Sequence, residues 1–544
     1  FPFVRGREAD RDVLRGWHVA ADVAARTGAA ANNEILTGLE SGVTAVRLVV
    51  GAAGLPANEI PAALSGVLLE LAPVALAAGP DTEAAAERLL AVLDAYRCED
   101  RGAITASFGA APLTAAFTHR QDIGMDAAVG LAGRAAARSE SIRAITVDGT
   151  VFHNAGASDT EELGAAVAAG LEYLRALTAS GLSVESALGQ IEFRLAATVD
   201  QFQTIAKFRA ARQLWARVAQ VCGAPEAGAA PQHAVTSAAM LTRRDPWVNL
   251  LRETVAVFAA GVGGADSITV LPFDTALAPG ALGVSSSFSA RMARNIQLLL
   301  LEESHLGRVV DPAGGSWYAE DLTAGIAETA WAFVQDIERA GGYAAALESG
   351  LVHTRIAATR QAREADIAHR RTAVTGVNEF PDLTEKPAAA APDGDVAHYA
   401  SAFEALRDRS DAFLAAAGER PKALLVPLGT VAEHNVRVAF AANLLASGGI
   451  EAVNPGPLPA DAVAAAAAES GATLAVLCGS DKRYGADAAQ AVAALRGAGV
   501  ARVLLAGPEK AVADVAGDAR PDGFLTMRVD AVATLAELLD TLGA

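Results

Sequence analysis

The sequence predicts an α/β protein with an N-terminal (β/α)8 barrel of the TIM type, a linker, and a smaller C-terminal Rossmann domain of the flavodoxin-like type. The first 350 residues alternate short β-branched or apolar runs with longer Ala/Leu/Arg segments of helical period. A proline-bearing, turn-rich stretch follows near residue 380, and five further strand–helix units come after it. For the first part, an open doubly wound sheet is the alternative to a closed barrel.

Composition narrows the class of protein. The 544 residues are 52% hydrophobic and 20% charged, which is enough apolar surface for several cores. The formal charge of −19 disfavours a nucleic-acid partner. Cys98, Cys222 and Cys478 lie too far apart for a disulfide framework or a zinc site. We therefore expect a cytoplasmic protein with no metal site and no membrane span, and the residues that follow Phe1 show no signal-peptide pattern.

The barrel elements follow from the first 350 residues. An arm is predicted over residues 1–28 and the barrel over 29–350. The β-branched and apolar runs predict strands at 43–50, 103–107, 144–147, 190–194, 233–237 and 267–271. Helices are predicted at 159–180, which opens with acidic residues suited to a helix N-terminus, and at 205–220, which has one apolar stripe.

The second part begins after a helical, Pro/Ala-rich linker predicted over residues 351–420. Residues 421–544 then repeat a strand–helix rhythm typical of a flavodoxin-like domain. The predicted strands are 423–428, 450–453, 473–478, 500–506 and 523–529. The predicted helices are 435–446, 460–470, 486–497, 511–516 and 531–542.

Four separated segments point to one family. They are IAKFRAARQLW (205–215), HAVTS (233–237), SFSARMARN (287–295) and VDPAGGSWYAE (310–320). Their order and the two-domain layout make the chain resemble the methylmalonyl-CoA mutase family. The resemblance implies an adenosylcobalamin-dependent radical isomerisation between methylmalonyl-CoA and succinyl-CoA, with the acyl-CoA threading the barrel and a cobalamin-binding domain capping it.

The cobalamin loop of that family departs from its pattern here. Family members ligate cobalt with the histidine of an Asp-x-His-x-x-Gly loop after the first strand of the smaller domain, and the aspartate orients the imidazole. In a gapless comparison, Pro427, Val431, Glu433 and Val436 occupy the positions of the family's Lys, Asp, His and Gly. His434 lies one residue late and is the remaining candidate cobalt ligand. The 421–544 domain is therefore predicted to be a degenerate cobalamin-binding domain.

The catalytic motifs of the barrel have changed in the same way. The region matching the family's substrate-covering tyrosine reads GWHVAADV (16–23), and the first tyrosine in the chain is Tyr96. Thr150 and Val151 replace a Tyr-His pair, and Asn154 replaces a glutamate. His233 does match a family histidine that hydrogen-bonds the substrate thioester carbonyl, so it is either a relict catalytic residue or a structurally bonded one.

A retained framework with lost cofactor and substrate motifs resembles the small, non-catalytic subunit of a heterodimeric family member. This implies a large-subunit partner that binds adenosylcobalamin and the acyl-CoA, while the chain itself binds no cofactor and is inactive alone. The arm is expected to wrap that partner. Two alternatives stay open: a divergent active acyl-CoA mutase, and a regulatory subunit that senses an acyl-CoA in its barrel. We expect Gly314 and Gly315 to form a tight turn, with Trp317 packed beside it.

Overall fold

The computed structural model describes residues 16–392, 394–459 and 461–544, so most of the predicted arm lies outside the described residues. The chain forms two compact units. The first contains the described residues of Phe1–Leu241, Asn249–Arg360 and Ala391–Ala397. The second contains those of Thr242–Val248, Gln361–Ala390 and His398–Ala544. The predicted linker is thus divided between the two units.

The first unit is built on a closed barrel of eight parallel strands, as the sequence predicts. Each strand pairs with the next along the chain, and the last pairs with the first. The strands are β1 (His18–Val23), β2 (Ala45–Val49), β3 (Val74–Ala77), β4 (Thr105–Ala110), β5 (Ser141–Asp148), β6 (Ile191–Ala197), β7 (Gln232–Thr236) and β8 (Ser267–Thr269).

The start of the barrel corrects the predicted arm. Residues 18–23, which we expected in an arm over 1–28, form β1 and close the barrel against β8. Alanine, a weak strand former, makes up part of β1 and half of β3, so both strands lack a clear β-branched signal. Trp17 is buried, and its indole donates to Gln297 at 3.2 Å. A Cβ on Gly261 would lie 2.5 Å from the Trp17 ring, so glycine is required there.

Helices connect these strands and continue past the barrel. They are α1 (Gly28–Glu40), α2 (Ile60–Ala63), α3 (Thr82–Ala95), α4 (Pro112–Phe117), α5 (Met125–Ala136), α6 (Thr150–Asn154), α7 (Asp159–Ala179), α8 (Val184–Leu188), α9 (Gln201–Val221), α10 (Asn249–Gly263), α11 (Ser286–Leu298), α12 (Trp317–Arg339), α13 (Tyr343–Glu348) and α14 (Leu351–Ala368). A capping box of Ser158 and Glu161 starts α7, which explains the acidic opening of the predicted helix 159–180. Both helices predicted in this part are confirmed.

The second unit contains a five-stranded parallel sheet in the order β10-β9-β11-β12-β13. Its strands are β9 (Lys422–Pro427), β10 (Glu451–Val453), β11 (Leu474–Cys478), β12 (Arg502–Ala506) and β13 (Gly523–Leu525). Its helices are α15 (Ser401–Ala417), α16 (Val431–Ser447), α17 (Val463–Ser470), α18 (Asp481–Gly497) and α19 (Ala531–Leu542). The predicted helix 511–516 is instead a short 3₁₀ turn, Glu509–Val512. Two hydrophobic clusters form the core of this unit.

A helix that spans a membrane needs about 20 consecutive, mostly apolar residues. Within the described ranges, none of them is both long and apolar enough to cross a bilayer.

Candidate functional site

Charged side chains fill the interior of the barrel. Arg47 on β2 pairs with Asp22 on β1 at 2.7 Å, and Arg194 on β6 pairs with Asp148 on β5 at 3.0 Å. Arg47 also interacts electrostatically with Arg194 and Asp148, which belong to strands that do not neighbour β2. Strands that are not neighbours can meet only through the interior, so these four side chains point inward. Together with the imidazole of His233 on β7, they form what we call the bore cluster.

The bore cluster keeps its carboxylates ionised and its imidazole neutral. Burial opposes the ionisation of Asp22, but Arg47 and Arg194 outweigh it and hold the pKa of Asp22 below its ordinary value. Arg194 similarly lowers the pKa of Asp148 against the effect of burial. Burial, reinforced by both guanidinium groups, lowers the pKa of His233 to about 3. The imidazole is therefore uncharged at neutral pH, and His233 Nε2 lies 2.8 Å from Thr269 Oγ1.

A further acidic side chain extends this network. Glu192 Oε1 accepts hydrogen bonds from Ser107 at 2.6 Å and Thr146 at 2.7 Å. A cavity of about 190 Å³ remains between these groups and is lined by Arg47, Glu192 and His233 among others. The interior of the barrel is therefore narrow, and the charged side chains that line it are fixed by ion pairs and hydrogen bonds. An apolar or extended ligand threading the barrel would have to break ion pairs that the barrel walls hold in place.

A second cavity lies at the carboxyl ends of the strands, where barrel enzymes carry their active sites. It has a volume of about 240 Å³ and is lined by Thr150, Arg194 and Ser237 among others. Arg120 and Asp395, both exposed, form an ion pair of 3.0 Å in its wall. The Ala397 amide donates to the Asn154 carbonyl at 2.6 Å. Asp395 and Ala397 therefore lie against the loops at this end of the barrel.

The segment that the resemblance aligns with the cobalt-ligand loop forms the start of a helix. Strand β9 ends at Pro427 and α16 begins at Val431, so three residues connect them. Glu433 accepts from the Thr430 backbone amide at 2.8 Å and completes a capping box. It also pairs with Arg483 of α18 at 3.1 Å. This pair spans the carboxyl ends of β9 and β11, where the strand order changes direction and where open α/β sheets bind ligands.

The residues around this helix start are also well defined. Gly429 has a φ of +82°, and a Cβ there would lie 2.6 Å from Glu433 Oε2 and 2.7 Å from Arg483 Nε. Val431 and Val436 are exposed at 59% and 77%, although the family has an aspartate and a glycine at those positions. His434 is only 6% exposed, and neither of its ring nitrogens has a hydrogen-bond partner.

These residues do not fit a corrinoid. A cobalt-ligating histidine normally presents one nitrogen to the metal and donates its other ring N–H to a carboxylate or carbonyl. His434 has no such partner, and the carboxylate of Glu433 is engaged by its own helix and by Arg483. Within the described ranges, no three His, Cys, Asp or Glu side chains converge as a metal site requires.

Two of the family-like segments are joined by one buried ion pair. Arg209 of α9 donates to Asp311 at 2.8 Å and also pairs with Glu320 of α12 at 2.7 Å. Gly315, with a φ of +85°, lies in the turn between these acidic residues, as expected. The expected packing of Trp317 was wrong, because its side chain is 92% exposed. The segment 310–320 is thus fixed through Arg209 and Asp311.

Sequence reasoning located His233 but missed the charged groups around it. Only His233 of the predicted site residues lies in the bore cluster, and the others lie on or beside the β9–α16 connection of the second unit. A signal was present in the IEFRLAA sequence of β6, in which Glu192 and Arg194 alternate with apolar residues. This alternation indicates a charged inner face and an apolar outer face.

Comparisons with known proteins agree with the resemblance found in the sequence. The methylmalonyl-CoA mutase family model matches residues 116–433. A protein of Mycobacterium tuberculosis named as a probable methylmalonyl-CoA mutase small subunit is 52% identical over the whole chain, which covers 88% of that relative. Small subunits from Streptomyces virginiae and Propionibacterium freudenreichii are 50% and 37% identical, again over the whole chain, which covers 87% and 85% of them.

Proposed function

Because the chain belongs to the methylmalonyl-CoA mutase family and matches relatives named as small subunits along its whole length, we propose that it is the non-catalytic partner of a large subunit. In this proposal the large subunit binds adenosylcobalamin and the acyl-CoA and carries out the isomerisation. The present chain binds neither and stabilises the large subunit through the surface that they share. A binding partner stabilises a folded protein by mass action without contributing a catalytic side chain.

The bore cluster is the single observation that carries this proposal. Threading an acyl-CoA through the barrel requires an open path along the axis. Here Asp22–Arg47 and Asp148–Arg194 occupy the interior as partly buried ion pairs, and separating them without replacing their contacts is costly. The only family histidine that remains, His233, is neutral and bonded to Thr269, which supports the structural role for it.

The second unit supports the absence of a corrinoid on this chain. Its strand order corresponds to the flavodoxin-like arrangement, and we infer that it derives from a cobalamin-binding domain. The capping box of Thr430 and Glu433 and the Glu433–Arg483 pair occupy the place of the ligand loop. We place the heterodimer in the cytoplasm, since three free cysteines suit a reducing compartment.

The test is co-expression with a candidate methylmalonyl-CoA mutase large subunit, compared with each subunit purified alone. We expect a heterodimer by size exclusion, mutase activity that requires the large subunit, and a higher melting temperature for the large subunit in the complex. The lone chain should stay colourless after incubation with adenosylcobalamin and desalting. Calorimetric titration of the lone chain with methylmalonyl-CoA and succinyl-CoA should give no heat of binding.

His434→Gln supplies the matched variant, because it removes the remaining candidate cobalt ligand and keeps a polar side chain of similar length. Its complex with the large subunit should retain wild-type activity and corrinoid content. Corrinoid absorbance on the lone wild-type chain that disappears in His434→Gln would support a divergent active mutase. Heat with an acyl-CoA but no bound corrinoid would support the sensing subunit.

A further inference from the structure

A serine and a histidine meet beside the cavity at the carboxyl ends of the barrel strands. Ser237 follows β7, His153 lies in α6, and Ser237 Oγ is 2.6 Å from His153 Nε2. The other ring nitrogen, His153 Nδ1, lies 3.7 Å from Glu162 Oε2. All three residues are buried, with 2% or less of their surface exposed. A nucleophile, a base and an acidic group thus lie next to one another in that order, which is the order found in acyl-transfer enzymes.

The acidic member of this line is held firmly. Glu162 Oε1 accepts from the Ala196 backbone amide at 2.8 Å, and Oε2 accepts from Lys207 Nζ at 2.8 Å. Lys207 is also paired with Asp159 at 2.8 Å. The two acidic groups share one buried ammonium. Burial raises the pKa of Glu162 to about 7 against the opposing effect of Lys207, so the local charge beside His153 is negative above that pH. Such a charge favours the imidazolium that forms when the imidazole accepts a proton.

The cavity beside Ser237 offers space for a substrate. Ser237 lines the cavity of about 240 Å³, together with Thr150, Asn154 and Arg194. Arg194 Nε has no hydrogen-bond partner, and its guanidinium group places positive charge beside the cavity. A cationic group close to a reacting carbonyl stabilises the oxyanion that develops there. The volume suits a short acyl group rather than a long chain.

We propose that Ser237, His153 and Glu162 form an acyl-transfer centre that hydrolyses short-chain acyl esters. Ser237 Oγ adds to the carbonyl carbon while its proton passes to His153 Nε2. The bond to the alcohol breaks, and that leaving group takes the proton from the imidazolium. Water then attacks the acyl-serine and gives a proton to His153, the carboxylic acid leaves, and Ser237 regains its proton. Glu162 is a positioning residue in this scheme.

A purely structural role for Ser237 makes a different prediction. Its Oγ also accepts from the Met240 backbone amide at 3.3 Å and so caps the short turn Ala238–Met240. A capping serine contributes only its acceptor lone pairs and never becomes acylated. Covalent modification of Ser237 therefore separates the two roles. The activity needs neither corrinoid nor the large subunit, so its test is independent of the proposed function.

The experiment uses the purified full chain with p-nitrophenyl acetate as the probe. We expect a burst of nitrophenolate close to one equivalent of chain, and mass spectrometry of the quenched reaction should place an acetyl group on Ser237. Ser237→Ala should abolish the burst, and His153→Gln should slow it by about 100-fold or more. Ser287→Ala, at an exposed position of α11 outside the lining of this cavity, should keep the wild-type burst.

Glu162→Gln tests the positioning role. We expect it to slow acylation while the acetyl group still appears on Ser237, and the more conservative Glu162→Asp should restore part of the rate. Acetyl groups found on lysines instead of Ser237, or equal rates for wild type and Ser237→Ala, would overturn the proposal. If a variant fails to fold, treatment of the wild-type chain with a fluorophosphonate, followed by peptide mapping, still decides whether Ser237 is nucleophilic.

Discussion

The fold keeps the imidazole of His233 neutral, and this has a measurable consequence. An exposed histidine in the unfolded chain takes up a proton near pH 6.5, whereas burial and the Arg194 and Arg47 guanidinium groups lower the pKa of His233 in the folded barrel to about 3. Between these values the unfolded state binds more protons. The free energy of unfolding therefore falls as the pH is lowered through this window, by up to about 1.4 kcal/mol per pH unit.

His233→Gln should remove this pH dependence, since an amide does not titrate and can still bond to Thr269. Relative to the wild type, the variant should gain about 2 kcal/mol in the free energy of unfolding between pH 8 and pH 5. Urea unfolding at the two pH values measures the difference. Thr269→Val keeps the imidazole and is the control, with the wild-type dependence expected. An identical wild-type-to-variant difference at both pH values would contradict the prediction.

The sequence could predict single residues only where local order determines their role. The change in the cobalt-ligand motif can be read from the sequence because Pro427, Val431, Glu433 and Val436 lie within one short segment of the chain. The pairing of Arg47 with Asp22, and of Arg194 with Asp148, depends on which strands become neighbours when the barrel closes. That information is non-local, so the charges were visible in the sequence but their partners were not.

Among the elements, adjacent barrel strands β5 and β6 are joined across the interior by Asp148 and Arg194. Arg194→Met should leave Asp148 buried without its guanidinium partner and lower the free energy of unfolding by about 3 kcal/mol or more. The double variant Asp148→Asn/Arg194→Met removes both charges and should recover most of the loss. Urea unfolding at pH 8 provides the measurement.

The exposed pair of Arg120 and Asp395 is the control for this experiment, because both side chains are more than half exposed. Arg120→Met should cost less than about 1 kcal/mol. The prediction is wrong if Asp148→Asn/Arg194→Met is less stable than Arg194→Met alone. That result would mean that Asp22 and Arg47 depend on both charges of the Asp148–Arg194 pair.

In the second unit, the hydroxyl group of Tyr484 forms hydrogen bonds at the carboxyl ends of both β11 and β12. Tyr484 of α18 accepts from the Gly479 amide at 2.7 Å and donates to the Ala506 carbonyl at 2.7 Å. Tyr484→Phe leaves both backbone groups buried without this partner, so the free energy of unfolding should fall by about 1–3 kcal/mol. Urea unfolding and faster hydrogen exchange of the Gly479 amide test this. Tyr318→Phe, at a 60% exposed position, should change neither.

Elements differed in how well the sequence predicted them. The central strands of the second unit, β9, β11 and β12, are rich in Val and Leu and mostly buried, and all five strands were predicted in order. Strand β3 has only four residues, two of them alanine, and was not predicted. Because alanine is a weak strand former, β3 is identified only by its pairing within the closed barrel.

At the scale of the whole molecule, the proposed function separates the family's scaffold from its chemistry. The Arg209–Asp311 pair joins two of the family-like segments, and the closed barrel and the parallel sheet form the scaffold. The barrel interior and the β9–α16 connection, where the resemblance implies substrate and cofactor, contain ion pairs and a helix cap. In the proposal, these internal contacts take the place of ligands. This pattern is expected of a subunit retained for its fold and its shared surface.

The chain divides into two compact units, and the hydrophobic clusters of the second unit contain no residue of the first. This division predicts two thermal transitions in calorimetry of the lone chain. Asp311→Asn weakens the buried contacts of Arg209 and should lower only the transition of the barrel unit. Tyr484→Phe should lower only the transition of the second unit. The double variant should show both shifts, each equal to that of its single variant. A single transition that moves with either substitution would mean that the units unfold together.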